Sequence, residues 1–213
     1  MIPVPCAFSN ILASSVPLSC IPRFIHSTIP KVIETAAKEG YPIDKMTVAG
    51  GSAGHALAMI YAYRDGKDAP VPVVFTFGAV GPSCFVAEDW GVFGVGLDSE
   101  ESRAAGAVLF SVMSGQEITP EEMADGSYLS KVHAISAADY VSENPVPTVV
   151  AYGACDKVQP FLASKRLEAA LQESGADYRY FVMEHSGHGL QNDNRIYAAY
   201  MKEVEAYLAK YMG

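Results

Sequence analysis

The sequence is short of basic residues, of cysteine motifs and of long apolar runs. Its 15 Lys and Arg residues stand against 24 Asp and Glu residues, which gives a formal net charge of -9. A chain with this balance repels phosphates, so we expect no nucleic-acid partner. No apolar stretch reaches the length that spans a bilayer, so the sequence predicts no membrane partner either.

The four cysteines are scattered. Cys6, Cys20, Cys84 and Cys155 have no Cys-x-x-Cys spacing, so the sequence predicts no zinc or other metal site and no redox motif. We therefore expect a reduced, cytoplasmic protein. The first 22 residues are uncharged and fairly apolar. They lack the basic residues of a signal peptide and contain four prolines, which argues against a signal.

One segment carries the whole excess of negative charge. Residues 82–145 contain 11 Asp and Glu against 2 Lys and Arg, whereas the rest of the chain has 13 of each sign. The imbalance indicates an insertion with its own solvated surface. That surface is either an exposed acidic region or one that steers a charged substrate.

The apolar pattern predicts one α/β domain over residues 1–213. Half of the residues are hydrophobic, enough for a sizeable core. Strand patterns cover 45–49, 71–77, 147–152 and 178–183, and helix patterns cover 30–39, 53–64, 100–114, 119–125, 160–174 and 195–211. Their alternation favours a sheet of four parallel strands.

A serine lies in a glycine-rich turn between a predicted strand and a predicted buried helix. Gly50-Gly51-Ser52-Ala53-Gly54 fits the pattern Gly-x-Ser-x-Gly. Alone the pattern is weak, and a turn serine without chemistry is its ordinary explanation. Its setting is that of a nucleophile elbow, a strained turn that lifts the hydroxyl above the sheet. The start of the helix behind it favours developing negative charge.

A catalytic serine needs a base, and the base needs a group that orients it. Asp156 follows the strand 147–152, and His188 follows the strand 178–183. Both would lie at the carboxyl ends of parallel strands, where open sheets bind ligands. The chain order of serine, acid and histidine also agrees with this arrangement.

These assignments have competitors. His185 lies close to His188 but nearer to the strand end. Asp139 and Asp193 are weaker alternatives for the acid, because neither directly follows a strand. Asp156 could instead be a loop carboxylate that caps the next helix.

Other side chains have both a structural and a functional interpretation. We expect His55 to be a packed or solvent-touching helix residue and Cys155 to be a buried, inert thiol. Six aromatic residues belong either to the core or to an acyl or alcohol pocket: Tyr61, Tyr63, Phe85, Trp90, Phe93 and Phe110.

The three motifs together resemble the α/β-hydrolase superfamily, and within it the bacterial esterase/lipase group. They read GGSAG, GACDKVQP and SGHGL, and the likeness covers about residues 23–213. The resemblance implies that Ser52 is the nucleophile, His188 the general base and Asp156 its orienter. It also implies that the amide of Ala53 is one oxyanion donor.

The resemblance further implies that residues 82–140 form a helical cap over the pocket. Before the elbow the chain departs from the group, because only 49 residues precede Gly50 and no His-Gly-Gly loop is present. We therefore expect an N-terminally truncated sheet without the second oxyanion donor, whose loss costs about 10²–10³ in rate. The strand 45–49 would become an unpaired edge. Either residues 1–20 or a second subunit would cover it, and we expect a homo-oligomer.

The resemblance implies a serine hydrolase acting on small carboxylic esters through an acyl-serine, with no metal or cofactor. Two alternatives stay open. One is a truncated fragment that binds or assembles without catalysis, which the missing strands favour. The other is a peptidase of the same fold.

Overall fold

The computed structural model describes residues 21–213, and its centre is a sheet of four parallel strands. The strands are β1 (Met46–Gly51), β2 (Val73–Ala79), β3 (Thr148–Gly153) and β4 (Tyr178–Met183), and they lie side by side in chain order. The register pairs Gly51 with Ala79, Ala79 with Ala151 and Gly153 with Met183. The carboxyl ends therefore meet at one edge, and the predicted α/β class is confirmed.

The helices connect the strands. They are α1 (Ile21–Lys38), α2 (Ala53–Ile60), α3 (Glu100–Ser114), α4 (Pro120–Asp125), α5 (Leu129–Val132), α6 (Phe161–Ser174) and α7 (Asn194–Met212). A π-turn over Tyr61–Asp65 and a 3₁₀ turn over Gly66–Asp68 continue α2. Further 3₁₀ turns cover Ala87–Phe93, His133–Ile135 and Ala137–Tyr140.

Two apolar cores lie on opposite faces of the sheet. On one face, side chains of α2, α6 and the segment between β2 and β3 pack against Val150 and Tyr152. On the other face, α7 lies across β2, β3 and β4 and covers Phe75, Val149 and Met183. Strand β3 is buried at every position, as a central parallel strand covered on both faces is.

The acidic segment between β2 and β3 is helical. Ser99 caps α3 by accepting a hydrogen bond from the Ser102 amide, and Thr119 and Glu122 form the capping box of α4. Caps of this kind satisfy amides that the first helical turn leaves unpaired. An ion pair between Asp89 and Arg166 joins the segment to α6. The role of residues 82–140 as a cap stays a prediction.

Helix α1 differs from its predicted extent. The sequence predicts a helix that begins at Pro30, whereas the helix begins at Ile21 and passes through this proline. A proline inside a helix removes one backbone hydrogen bond and is unfavourable. Near the start of α1, the ring of His26 lies 6.4 Å from that of Tyr61, which follows α2.

Strand β1 has a single neighbour, β2, in the part of the chain that the structure describes. Ala49 and Gly51 of this edge strand are exposed. The expectation that residues 1–20 fold over the edge falls outside the described residues. Within residues 21–213, none of the helices combines the length and the apolar character needed to cross a membrane.

Candidate active site

Ser52 lies in a strained turn between β1 and α2. Its backbone angles are φ 53° and ψ -125°, a region that residues with side chains rarely occupy. The Ser52 amide donates to the carbonyl of Ala79 at 2.9 Å, which fixes the turn to the end of β2. A Cβ at Gly50 would collide with the backbone of Gly54, and one at Gly78 with the carbonyl of Gly50. The turn therefore requires glycine at these positions.

The hydroxyl of Ser52 does not cap the helix that it begins. Instead, Oγ of Ser52 lies 2.8 Å from Nε2 of His188, and Nδ1 of the same ring lies 2.8 Å from Oδ2 of Asp156. With the ring proton on Nδ1, the serine hydroxyl donates to Nε2 and the ring donates to the carboxylate. The structure thus brings the three predicted side chains into one hydrogen-bonded chain.

Asp156 is held by its own loop. Its carboxylate is 1% exposed, and Oδ1 accepts hydrogen bonds from the amides of Val158 at 2.7 Å and Gln159 at 2.9 Å. Helix α6 begins later, at Phe161 with Pro160 as its N-cap. The carboxylate therefore orders its loop and leaves Oδ2 for His188. The alternative, in which Asp156 caps α6, is wrong.

The loops that carry the acid and the histidine are bonded to each other. The Cys155 amide donates to the carbonyl of Ser186 at 3.0 Å, and the Ala154 amide donates to Met183 at 3.0 Å. A Cβ at Gly153 would collide with the carbonyls of Ser186 and Gly187. This close approach explains the glycine at the end of β3 and fixes the separation of the two loops.

The first turn of α2 supplies free amides beside the serine. The Ser52 carbonyl accepts from the amides of His55 and Ala56 at 3.0 and 3.1 Å. The amides of Ala53 and Gly54 have no hydrogen-bond partner among residues 21–213. An oxyanion next to Ser52 would meet these donors and the positive end of the helix. The role of Ala53 as oxyanion donor stays a prediction.

His55 is fully buried beneath the turn, as expected for a packed residue. Its Nδ1 accepts a hydrogen bond from the Gly81 amide at 3.3 Å. Burial lowers the pKa of this imidazole from 6.5 to about 3. The ring is therefore neutral and structural, and it joins α2 to the turn after β2. Neither this bond nor its partner Gly81 was visible in the sequence pattern.

The residues that compete with His188 and Asp156 for their roles are hydrogen-bonded to other partners. His185, whose side chain is 77% exposed, bonds to Asp193 at 2.9 Å. Asp139 bonds to His133, also at 2.9 Å. Neither aspartate therefore occupies the position of Asp156 beside His188.

The candidate pocket aromatics belong to the core. Among the six, all but Phe93 are fully buried, and Phe93 packs against them: Tyr61, Tyr63, Phe85, Trp90, Phe93 and Phe110. No group of three metal-ligating side chains comes together within residues 21–213. Cys155 is a free cysteine whose Sγ donates to the Glu184 carbonyl at 3.4 Å. The expectation that this thiol is buried is wrong, because the residue lies exposed in the loop after β3.

The model of the prolyl oligopeptidase family matches residues 105–213, just over half of the chain. The chain belongs to the prolyl oligopeptidase family. The matched part of this family member contains Asp156 and His188 but not Ser52. No curated protein matches the sequence.

Solved structures similar to this prolyl oligopeptidase family member include both peptidases and esterases. The acylaminoacyl peptidase of Pyrococcus horikoshii has a TM-score of 0.63 at 12% identity, over 89% of this chain and 27% of its own. Esterase Est2 of Thermogutta terrifontis, bound to butyrate, has a TM-score of 0.63 at 18% identity, over 92% and 66%. A truncated carbohydrate esterase from gut microbiota has a TM-score of 0.60 at 16% identity, over 92% of this chain and 67% of its own.

These neighbours confirm the α/β-hydrolase fold, and together with the family match they confirm the superfamily. The chain spans between about a quarter and two thirds of the length of the neighbours described here. Within the superfamily, the matching family is that of prolyl oligopeptidases, and the esterases are neighbours in structure. The chain is thus a member of a serine hydrolase superfamily in which both ester and peptide bonds are cleaved.

Proposed function

We propose that this chain is a serine hydrolase that cleaves small carboxylic esters through an acyl-serine intermediate. The observation that carries the proposal is the pair of 2.8 Å contacts that join Ser52 to His188 and His188 to Asp156. Nucleophile, base and orienting acid lie in the order and at the distances that nucleophilic catalysis requires.

Each side chain has a definite task in the proposed reaction. Ser52 Oγ attacks the ester carbonyl while His188 Nε2 takes its proton, and buried Asp156 stabilises the imidazolium that forms. The oxyanion of the tetrahedral intermediate accepts from the Ala53 amide. His188 then returns the proton to the leaving alcohol as its C–O bond breaks. A water molecule, deprotonated by His188, releases the acid from Ser52.

Peptide hydrolysis is the second candidate, and the match to the prolyl oligopeptidase family favours it. Both reactions use the same acyl-serine and differ in the leaving group. An amide is the less reactive substrate, so its cleavage depends more strongly on a complete oxyanion hole. Beside Ser52, the amides of Ala53 and Gly54 at the start of α2 are free for this purpose. This argument favours esters as the substrates.

The proposal is tested by hydrolysis of p-nitrophenyl acetate and butyrate, with peptide p-nitroanilides measured in parallel. We expect ester turnover in the wild type and a loss of about 10⁴-fold or more in kcat with Ser52→Ala. Ser130→Ala, at an exposed serine of α5, is the matched control and keeps the activity. Faster cleavage of the anilides would assign a peptidase instead.

Labelling with a fluorophosphonate separates an activated serine from an inert one. We expect one label per chain in the wild type and none in Ser52→Ala. A folded wild type that neither reacts with the label nor turns over any of the substrates would contradict the proposal. It would assign the chain to the non-catalytic alternative.

A further inference from the structure

Asp193 stands at the start of α7, yet its carboxylate does not bond to the helix. Oδ2 accepts the Ser186 hydroxyl at 2.6 Å and the His185 amide at 3.0 Å. Oδ1 lies 2.9 Å from Nδ1 of His185. An aspartate at this position ordinarily accepts the amides of the first helical turn. Here the carboxylate is directed into the loop that carries His188.

Ser186 links Asp193 to the loop that carries Asp156. Its side chain is fully buried, and its Oγ also accepts from the Asn192 amide at 3.0 Å. Its carbonyl accepts from the amide of Cys155, the residue before Asp156, at 3.0 Å. Asp193 therefore fixes a residue that is itself bonded to the acid's loop.

His188 lies between Ser186, which Asp193 holds, and a second fixed residue, Leu190. Leu190 is buried in the core under α7 beside Met183, in a left-handed conformation with φ 52°. Its amide donates to the carbonyl of Gly187 at 3.1 Å. The segment between Ser186 and Leu190 has no regular secondary structure. The position of the His188 ring thus depends on what holds the two ends.

The charge of Asp193 strengthens its bonds. The hydrogen bonds from Ser186 and His185 lower the pKa of Asp193, so the group is an anion at neutral pH. In turn, Asp193 raises the pKa of His185. Hydrogen bonds to an ionised acceptor are shorter and stronger than those between neutral groups, in agreement with the 2.6 Å contact to Ser186.

We infer that Asp193 is the positioning residue of His188: through Ser186 it holds the histidine loop at the distance where the ring contacts both Ser52 and Asp156. This inference rests on the function proposed above. Asp193 does not touch the reacting atoms, so its effect falls on the rate of the chemical step. A displacement of about 1 Å of a catalytic group lowers that rate by up to about a hundredfold.

The test compares Asp193→Ala with Asp177→Asn. Asp177 also joins the sheet to α7 and also makes three hydrogen bonds, which come from the side chains of Tyr207, Lys210 and Tyr211. It lies before β4, at the other end of the sheet. We expect Asp193→Ala to lower kcat about tenfold to a hundredfold, with KM within about twofold. Asp177→Asn lowers stability but leaves kcat unchanged. We expect Asp193→Asn, which keeps one acceptor oxygen, to have a kcat between that of Asp193→Ala and that of the wild type.

The rates are expressed per active site, counted by fluorophosphonate label, so that loss of folded protein is not read as loss of catalysis. The NMR signal of the His188 Nδ1 proton, bonded to Asp156, supplies a readout that needs no turnover. We expect it in the wild type and in Asp177→Asn, and we expect it to be lost in Asp193→Ala.

The outcomes distinguish a failure of the proposed function from a failure of the role inferred for Asp193. A wild type without turnover contradicts the proposed function, and the proton signal then still decides whether Asp193 positions the ring. An Asp193→Ala variant with the wild-type kcat and the wild-type signal overturns the inference. A fall in kcat that Asp177→Asn shares to the same extent overturns it as well, because the effect would then be one of general stability.

Discussion

His55 illustrates how burial keeps a titratable side chain uncharged beside the candidate nucleophile. The ring lies beneath the turn that carries Ser52, and it accepts the Gly81 amide. Its low pKa prevents it from competing with His188 for protons near neutral pH. The same shift makes it a source of acid sensitivity. Below about pH 6.5 the unfolded chain takes up a proton that the folded state does not accept until about pH 3.

We predict that His55→Leu lowers the free energy of unfolding at pH 7 by about 1–3 kcal/mol, because the buried Gly81 amide loses its acceptor. The contribution of His55 to the wild type falls by about 1.4 kcal/mol per pH unit as the pH drops from 6.5 towards 3. The difference between the two proteins therefore narrows in acid. Urea unfolding of both proteins at pH 7 and pH 5 measures this difference in stability. A difference that is the same at both pH values would contradict the lowered pKa of His55.

The sequence identified some residues of the site and not others. Ser52, Asp156 and His188 were found because each directly follows a strand, and parallel strands bring their carboxyl ends together. Asp193 was considered only as a substitute for the acid. Its actual contacts, with Ser186 and His185, depend on the path of an irregular loop, which no periodicity encodes. The catalytic assignments themselves remain predictions.

At the scale of elements, α7 is attached to the sheet at both of its ends. Its first residues meet the histidine loop, and its last turns bond to Asp177, whose carboxylate accepts Lys210 at 2.7 Å and Tyr211 at 2.6 Å. The hydrogen bonds from Lys210, Tyr207 and Tyr211 hold the pKa of Asp177 well below its usual value of 3.8. The contact at the start of α7 thus holds the loop of His188, whereas the contacts of its last turns with Asp177 stabilise the fold.

We predict that Asp177→Asn lowers the free energy of unfolding at pH 7 by about 1–2 kcal/mol, as loss of a charged acceptor does. The carboxylate of the wild type stabilises the fold above pH 3.8, the ordinary value, and loses this effect as the pH falls below it. Denaturant unfolding at pH 7 and pH 3 checks both points. Equal stability of variant and wild type at pH 7 would exclude a stabilising role.

The elements themselves were largely predictable. The pattern of 178–183 predicted β4 with the observed bounds, because Tyr180, Phe181 and Val182 are residue types that strands favour. The start of α1 was wrong, since Pro30 is typical of a first turn. The helix instead begins at Ile21, with Pro30 inside it. Local residue preference is a weak guide to such a boundary.

At the scale of the molecule, β1 and β4 are the two edge strands of the sheet in residues 21–213, and β1 has β2 as its one neighbour there. An exposed strand edge favours pairing with another chain. We predict a dimer or larger assembly in sedimentation velocity. Ala49→Lys, which places a charge on the exposed strand, shifts the population towards the monomer. A monodisperse wild-type monomer would contradict this prediction.

The strand order also has a consequence for biosynthesis. Because β1, β2, β3 and β4 lie side by side in chain order, each new strand can join the one made just before it as the chain leaves the ribosome. Ser52 therefore emerges before Asp156, and Asp156 before His188. The hydrogen-bonded chain of these three side chains can form only after β4 and the loop that follows it have been made.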